Sequence, residues 1–236
     1  MKHALVAVLL SFAAVGVSGA QRYPAPADMQ TVHVALLYRG PSAAKESTPE
    51  AQKIQEAHLA HITKLAKEGH ALIAGPFGGD GDLRGVIFLK AASADAARAL
   101  EADDPAVKAG RLRIEILSFM TPSNWFSFAP VKDDYAMRQF VFGFFNVGPK
   151  PIGTPEANAT IMDDHLANLW SMRQAGTMVA GGPAVGSETR AGVIVLAVDS
   201  VEKARALLAQ DPTVKAGRTV MELYSWYAAD GIMKGK

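Results

Sequence analysis

The sequence predicts an α+β fold made of two tandem copies of one βαββαβ unit. The first observation is an internal repeat, since His58-Leu59-Ala60 recurs as His165-Leu166-Ala167 further along the 236-residue chain. The second is that each copy alternates short runs of β-branched and aromatic residues with two segments of helical periodicity. Together they predict two similar domains, one after the other.

The repeat keeps the spacing of 107 residues that separates His58 from His165, and we expect it to hold without a gap. The longest matched segment runs from Asp104 to Arg111 and again from Asp211 to Arg218. Further matches are Gly69 with Gly176, Gly75-Pro76 with Gly182-Pro183, and Gly85-Val86-Ile87 with Gly192-Val193-Ile194.

Each copy begins with a strand and a long helix. The strand is rich in β-branched and aromatic residues, and a glycine, Gly69 or Gly176, ends the helix because glycine adopts the left-handed conformation at no steric cost. We expect the strands at Thr31–Tyr38 and Arg138–Phe145, and the helices at about 49–68 and 156–174.

A β-hairpin, a second helix capped by Ser93 or Ser200, and a last strand complete each copy. This order of elements is the ferredoxin-like split unit. We expect hairpins at 71–75 with 85–89 and at 178–181 with 192–198, helices at about 93–102 and 200–209, and last strands at 112–119 and 219–226.

A four-stranded sheet with both helices on one face leaves its other face uncovered, and an apolar face of that size needs a partner. We expect the second copy to cover it, giving a pseudo-dimer within one chain whose sheets face each other and enclose clefts. The predicted domains are 31–120 and 138–227. The linker 121–137 contains Trp125, Phe126 and Phe128 and is expected to pack on the domains.

Residues 1–20 have the layout of a signal peptide. Lys2 and His3 precede an apolar run that ends in Ser18-Gly19-Ala20, with a cleavage point before Gln21. No later segment approaches the roughly 20 apolar residues of a spanning helix. We therefore expect an exported protein, periplasmic or secreted, with no membrane partner.

The composition excludes several kinds of site. The chain has no cysteine, which excludes disulfides, a lipid-anchored cysteine and a thiolate nucleophile. A net charge of +1 gives no electrostatic reason to expect a nucleic-acid partner. A small-molecule ligand and pairing into a further homo-oligomer both remain possible.

The repeat points to one histidine and one aspartate in each copy: His58 with Asp104, and His165 with Asp211. An imidazole beside a carboxylate is held in one tautomer and becomes a stronger base, which suits proton transfer at neutral pH. The structural alternative is that each aspartate only caps the turn that begins with the following proline, and that each histidine is packed or solvated.

Other polar residues are weaker candidates. His58 and His61 share a helix face that could suit a metal, but the second copy has Asn168 and no third ligand is evident, so we expect neither metal nor cofactor. The glycine-rich loop 78–82 lies between two strands and is interpreted as a hairpin turn. Arg84 and Arg190, near the hairpins, are candidates for binding an anionic substrate, although solvated arginine is the alternative.

The ordered set of motifs, a helix with His58, then Gly75-Pro76, Gly85, Asp104-Pro105 and Ala109-Gly110, resembles the YCII-related (YciI-like) family in both copies. The resemblance implies ferredoxin-like subunits paired into dimeric α/β barrels. It also implies a His-Asp pair in each copy. A few relatives are cofactor-free lyases, such as a dehydrochlorinase acting on chlorinated hydroxyhydroquinones, and muconolactone isomerase has a similar fold.

Two functions follow as hypotheses. One is a cofactor-free lyase or isomerase, in which the histidine moves a proton on a small cyclic or aromatic substrate and the aspartate orients it. The other is a non-catalytic small-ligand-binding or scaffold protein. Fold analogy does not choose between them, because ferredoxin-like domains serve many unrelated roles.

Overall fold

The structure is a computed structural model that describes residues 29–43, 48–123, 126–129, 136–150 and 153–235. The predicted signal peptide lies outside these residues. The first repeat consists of β1 (Met29–Arg39), α1 (Pro49–Lys67), β2 (Ala71–Pro76), β3 (Leu83–Leu89), α2 (Ala94–Ala102), α3 (Pro105–Lys108) and β4 (Leu112–Pro122). It is followed by a short strand, β5 (Phe126–Phe128).

The second repeat has the same order of elements. It consists of β6 (Met137–Val147), α4 (Pro155–Gln174), β7 (Met178–Val185), β8 (Arg190–Leu196), α5 (Val201–Leu208), α6 (Pro212–Lys215) and β9 (Thr219–Ala229). A last strand, β10 (Met233–Gly235), pairs with β5. The predicted α+β class and the βαββαβ order are confirmed, and the one-turn helices α3 and α6 are additions to the prediction.

The two four-stranded sheets join edge to edge. Their strands follow the order β2-β3-β1-β4-β7-β8-β6-β9. The first junction pairs β4 with β7 at Ser118↔Val185 and Phe119↔Ala184. The second brings β2 to β9, where Phe77 bridges Trp226 and Gly78 N–H donates to the Ser225 carbonyl. The result is the dimeric α/β-barrel arrangement within one chain.

Aromatic rings fill the space between the sheets, where we had expected clefts. Phe88 of the first repeat contacts Phe142 and Trp226 of the second, with ring centroids 6.3 and 5.7 Å apart. Phe77 lies 5.5 Å from Phe142. The largest fully buried side chains include Trp226, Phe88, Phe119, Phe142 and Phe144. Neither repeat has its own core on this face, so the second copy covers the first as predicted.

The expectation of a repeat without a gap is wrong at the first strand. Met29 pairs with Pro122 in the first repeat, whereas Met137 pairs with Ala229 in the second. The first strands are therefore equivalent at a spacing of 108 residues and the last strands at 107. The segment that joins the first strand to the helix histidine is one residue shorter in the second repeat.

The connection between the repeats packs on the domains, as expected for part of the linker. The ring of Phe128 lies 6.1 Å from that of Phe88, and the Ala129 amide donates to the Ile232 carbonyl. Trp125 lies outside the described residues. None of the described helices has the length and apolar character needed to cross a membrane.

Candidate functional site

The two predicted His-Asp pairs are formed. His58 Nδ1 lies 2.5 Å from Asp104 Oδ2, and His165 Nδ1 lies 2.8 Å from Asp211 Oδ2. Each histidine lies on the first helix of its repeat, and each aspartate lies between the second helix and the one-turn helix that follows. Both carboxylates are fully buried, and the side chains of His58 and His165 are 8% and 14% exposed.

Each aspartate also caps a helix, so the structural and functional interpretations of these residues hold together. Asp104 Oδ1 accepts the Ala106 amide at 2.7 Å while Oδ2 contacts His58. Asp211 Oδ1 accepts the Thr213 amide at 2.9 Å. Because the cap fixes the rotamer of the aspartate, the Asp-Pro turn positions the carboxylate under the histidine before any substrate is present.

The second pair has two additional donors. Thr213 Oγ1 donates to Asp211 Oδ1 at 2.6 Å, and Asn168 Nδ2 donates to Oδ2 at 3.0 Å. Burial alone would raise the pKa of the Asp211 carboxyl, but the hydrogen bond and charge of His165, together with these donors, outweigh it and hold that pKa below its usual value. Asp211 is therefore a carboxylate at neutral pH.

The arrangement suits proton transfer at the outer nitrogen of each ring. When Nδ1–H donates to the aspartate, the lone pair remains on Nε2. Neither Nε2 is hydrogen-bonded to another described residue, and the rings of His165 and Phe145 pack edge to face with their centroids 5.3 Å apart. Each histidine can thus accept a proton at Nε2 while its aspartate stabilises the imidazolium.

The first pair has two ionisable neighbours that the second lacks. Glu101 on α2 is fully buried, and its two carboxyl oxygens have no hydrogen-bond partner within the described part of the chain. Burial, together with the negative charge of Asp104, raises the pKa of Glu101 to about 8. His61, one turn after His58, bonds through Nε2 to the Leu100 carbonyl at 3.1 Å. The equivalents are Leu208 and Asn168.

A groove of about 340 Å³ runs between α1 and α2 beside the first pair. Its lining includes His61, Leu100 and Asp103, which adjoin the pair, but neither His58 nor Asp104. The remaining lining residues are Lys64, Leu65, Glu68, His70, Ala96 and Ala99. The pair therefore lies behind the groove wall.

Comparison with known proteins identifies the family. The model of the YCII-related domain matches residues 31–120 and 146–227, one segment in each repeat. The chain belongs to the YCII-related domain family. The predicted resemblance is thereby confirmed for both YCII-related domains. A search of curated protein sequences returned no match.

Solved structures similar to the tandem YCII-related domains support the barrel fold. A mutant chlorite dismutase from Candidatus Nitrospira defluvii is 10% identical, with 84% of this chain and 91% of that chain covered and a TM-score of 0.54. A putative chlorite dismutase is 8% identical over 83% and 94% of the chains, also with a TM-score of 0.54. At these identities the likeness concerns the fold alone.

A shorter match involves a 5-chloro-2-hydroxyhydroquinone dehydrochlorinase from Burkholderia phenoliruptrix. It is 26% identical, and the alignment covers 35% of this chain and 89% of that chain with a TM-score of 0.27.

The two predicted substrate-binding arginines lie away from the His-Asp pairs of the YCII-related domains. Arg84 donates to the carbonyl oxygens of Gly79 and Gly81 at 2.8 and 3.2 Å, which holds its own hairpin loop together. That loop is a hairpin turn, as interpreted from the sequence. A role for Arg84 in substrate binding stays a prediction.

Arg190 links the two domains from the barrel interior. Its guanidinium bonds to Glu115 and to the Tyr38 hydroxyl, and lies 4.2 Å from the centre of the Phe144 ring. His165 packs on Phe145 instead, and neighbouring strand residues point to opposite faces of a sheet. Arg190 and the second pair are thus separated by the sheet, and its role in substrate binding also stays a prediction.

Sequence reasoning missed three residues that adjoin the pairs: Glu101, Asn168 and Thr213. Asn168 was noted only as the replacement for His61. Glu101 had a usable signal, because a glutamate occupies an apolar position of α2 where the second YCII-related domain has Leu208. Thr213 had none, since a threonine after Asp-Pro has no distinctive pattern.

Proposed function

We propose that this chain is a cofactor-free lyase or isomerase that moves a proton on a small cyclic or aromatic substrate. The observation that carries the proposal is the buried His-Asp pair, present in both domains at 2.5 and 2.8 Å. Nε2 of His58 or His165 takes a proton from a carbon acidified by a neighbouring carbonyl, while Asp104 or Asp211 holds the ring and stabilises its positive charge. In an isomerisation the imidazolium returns the proton to another carbon. In an elimination a leaving group departs with its bonding electrons.

Proton exchange from carbon tests this chemistry without knowledge of the natural substrate. The full mature chain is incubated in D₂O with a panel of lactones and halogenated phenols, and loss of each C–H signal is followed by proton NMR. We expect catalysed exchange or elimination with at least one compound class. Because a positioned general base contributes about 10²- to 10⁴-fold, His58→Asn combined with His165→Asn should lower the rate by at least about 100-fold.

The single variants assign the activity to one domain or to both. Asp199→Asn is the control, since the Asp199 side chain is 70% exposed, pairs with Lys203 on the surface and lies outside both pairs and the groove. Its rate should equal that of the unmodified chain. Catalysis that survives in the double histidine variant would refute a mechanism based on the pairs.

A non-catalytic small-ligand-binding or scaffold role is the second candidate. It is favoured by the burial of both histidines, 8% and 14% exposed, and by a groove that His58 does not line. In that case the pairs lock the helices together. The same panel of compounds distinguishes the two roles. Compounds whose own NMR signals shift on adding the protein, but which neither exchange a C–H proton nor lose a leaving group, would establish binding alone.

We propose further that the chain is exported and cleaved before Gln21. The support is the arrangement of Lys2, the apolar run and Ser18-Gly19-Ala20. Expression in a bacterium, followed by fractionation and mass spectrometry of the intact protein, gives the test. A cytoplasmic product that retains residues 1–20 would contradict it.

A further inference from the structure

We propose that the first domain binds a divalent transition-metal ion between His61, Glu101 and Asp104, and that the second domain has no such site. One ligand atom from each of the three residues lies within 4.8 Å of the other two. Ligand atoms that share a tetrahedral zinc ion at about 2.0–2.2 Å are themselves about 3.3–3.6 Å apart. Small side-chain movements would therefore complete the coordination.

Glu101 gives the independent reason to expect a ligand. Its side chain is fully buried, and both carboxyl oxygens lack a hydrogen-bond partner among the described residues. An unpartnered polar group in the interior costs free energy, more so for a carboxyl beside the Asp104 carboxylate. A cation between Glu101 and Asp104 would give these oxygens a partner and offset the negative charge of Asp104.

The remaining ligands have the supporting contacts that metal sites use. His61 bonds to the Leu100 carbonyl through Nε2, which fixes the tautomer and leaves the Nδ1 lone pair available. Asp104 is held by the Ala106 amide and by His58, so its second lone pairs remain for a metal. One imidazole with two carboxylates is a donor set for zinc or a neighbouring divalent ion rather than for calcium.

The groove gives an ion a path from solvent. His61 and Leu100 line it, and Asp103, next to Asp104, lies at its edge with its carboxylate paired to Lys108. The sequence had predicted no metal because only His58 and His61 were considered and no third ligand was evident. Glu101 from the second helix supplies the missing ligand, and His61 rather than His58 supplies the imidazole.

The second domain provides the matched variants. It carries Leu208 where Glu101 stands and Asn168 where His61 stands, and Asn168 donates to Asp211 directly. Glu101→Leu and His61→Asn thus introduce side chains that the same fold already accommodates. His70→Thr removes an exposed histidine that is not in the cluster, and controls for adventitious zinc binding.

Titration of the EDTA-treated full chain with Zn²⁺ in a calorimeter tests the proposal, which does not depend on catalysis. We expect one strong site per chain, abolished by Glu101→Leu and weakened at least about tenfold by His61→Asn, since even outer-shell partners contribute 10- to 100-fold. His70→Thr and His165→Asn should bind as the unmodified chain does.

Two results would overturn the site. One is the absence of strong Zn²⁺ binding by the unmodified chain. The other is binding that Glu101→Leu leaves unchanged, which would identify a surface ion only. Thermal melts of each variant without metal show that it folds, and Zn²⁺ should raise the melting temperature of the unmodified chain but not of Glu101→Leu.

Discussion

The Asp211 carboxylate accepts hydrogen bonds from four donors: His165, Asn168, and the amide and hydroxyl of Thr213. Its pKa lies below the unfolded value of about 3.9, so folding favours the carboxylate form. The resulting stability is fully present above the unfolded pKa and is lost as the pH falls below about 4. Asp211→Asn should lower the free energy of unfolding at pH 7 by about 1–3 kcal/mol. Its stability should also fall less steeply between pH 4 and 2 in urea titrations.

Asp199→Asn is the control for that pH dependence. The Asp199 carboxylate pairs with Lys203 on the surface, with its side chain 70% exposed. Exposed pairs of this kind contribute little to stability. We expect its pH profile to follow that of the unmodified chain. If the stability of Asp211→Asn falls with pH as steeply as that of the unmodified chain, the His165–Asp211 pair adds no stability.

The buried carboxyl of Glu101 gives a second prediction at this scale. In EDTA at pH 7, Glu101→Leu should raise the free energy of unfolding by about 1–3 kcal/mol, because it removes an unpartnered polar group from the interior. Leu208→Glu, the reverse change in the second domain, should lower it by at least as much. Urea denaturation of both variants measures the effect. A loss of stability in Glu101→Leu would show that Glu101 has a partner in the metal-free protein.

The sequence predicted the His-Asp pairs because two copies supply an internal comparison. His58 and His165 are retained on helices where most other positions differ between the copies, and the Asp-Pro turn fixes where the carboxylate must lie. The comparison fails for residues that differ between copies, since a difference shows no role. Asn168 therefore became visible only when α4 was placed beside Asp211, whereas Glu101 had a signal in its apolar position on α2 that was passed over.

The Gly-Pro segments of β2 and β7 close the barrel. A Cβ atom on Gly182 would lie 1.7 Å from the Met120 carbonyl oxygen, and one on Gly75 would lie 1.8 Å from that of Tyr227. Trp226 Nε1 donates to the Gly75 carbonyl at 3.1 Å across the same junction. The motif that recurs in both repeats thus permits each sheet edge to approach the other domain.

Gly182→Ala and Gly75→Ala should therefore destabilise the protein by about 1–3 kcal/mol or more, since neither backbone can move without opening a junction. Gly81→Ala is the control, because a Cβ atom at that exposed loop position meets nothing within 4 Å. Guanidinium denaturation monitored by circular dichroism measures all three. If the junction variants match Gly81→Ala in stability, the close approach is unimportant for closure.

At the level of elements, periodicity located the long helices and the central strands, and the predicted ends agree within a few residues. The exceptions depend on contacts between distant segments. β7 extends to Val185 because its last residues pair with β4. β5 and β10 form only because they meet each other. The register of β6 escaped prediction because its hydrophobic residues continue on both faces, which leaves a one-residue shift unmarked.

The architecture of the whole molecule could be predicted because one four-stranded sheet needs a cover and the chain contains two. The side chains that fill the barrel could not be predicted, since the one-residue shift decides which of them point inward. Val34 and Leu36 of β1 correspond to Phe142 and Phe144 of β6. The second domain therefore contributes larger rings, and the interior is filled where clefts were expected.

This shared interior predicts that the domains unfold together. Phe88 is fully buried and contacts Phe142 and Trp226 across the barrel. Phe88→Ala should cost about 3–5 kcal/mol. The variant should still unfold in a single transition, at a lower midpoint, and the transitions followed by tryptophan fluorescence and by far-ultraviolet circular dichroism should coincide. Leu59→Ala, at a side chain 53% exposed, should leave the midpoint nearly unchanged. Two separate transitions, of which Phe88→Ala shifts only one, would mean that each repeat is stable alone. That result would contradict a core in which rings from both repeats are buried only by each other.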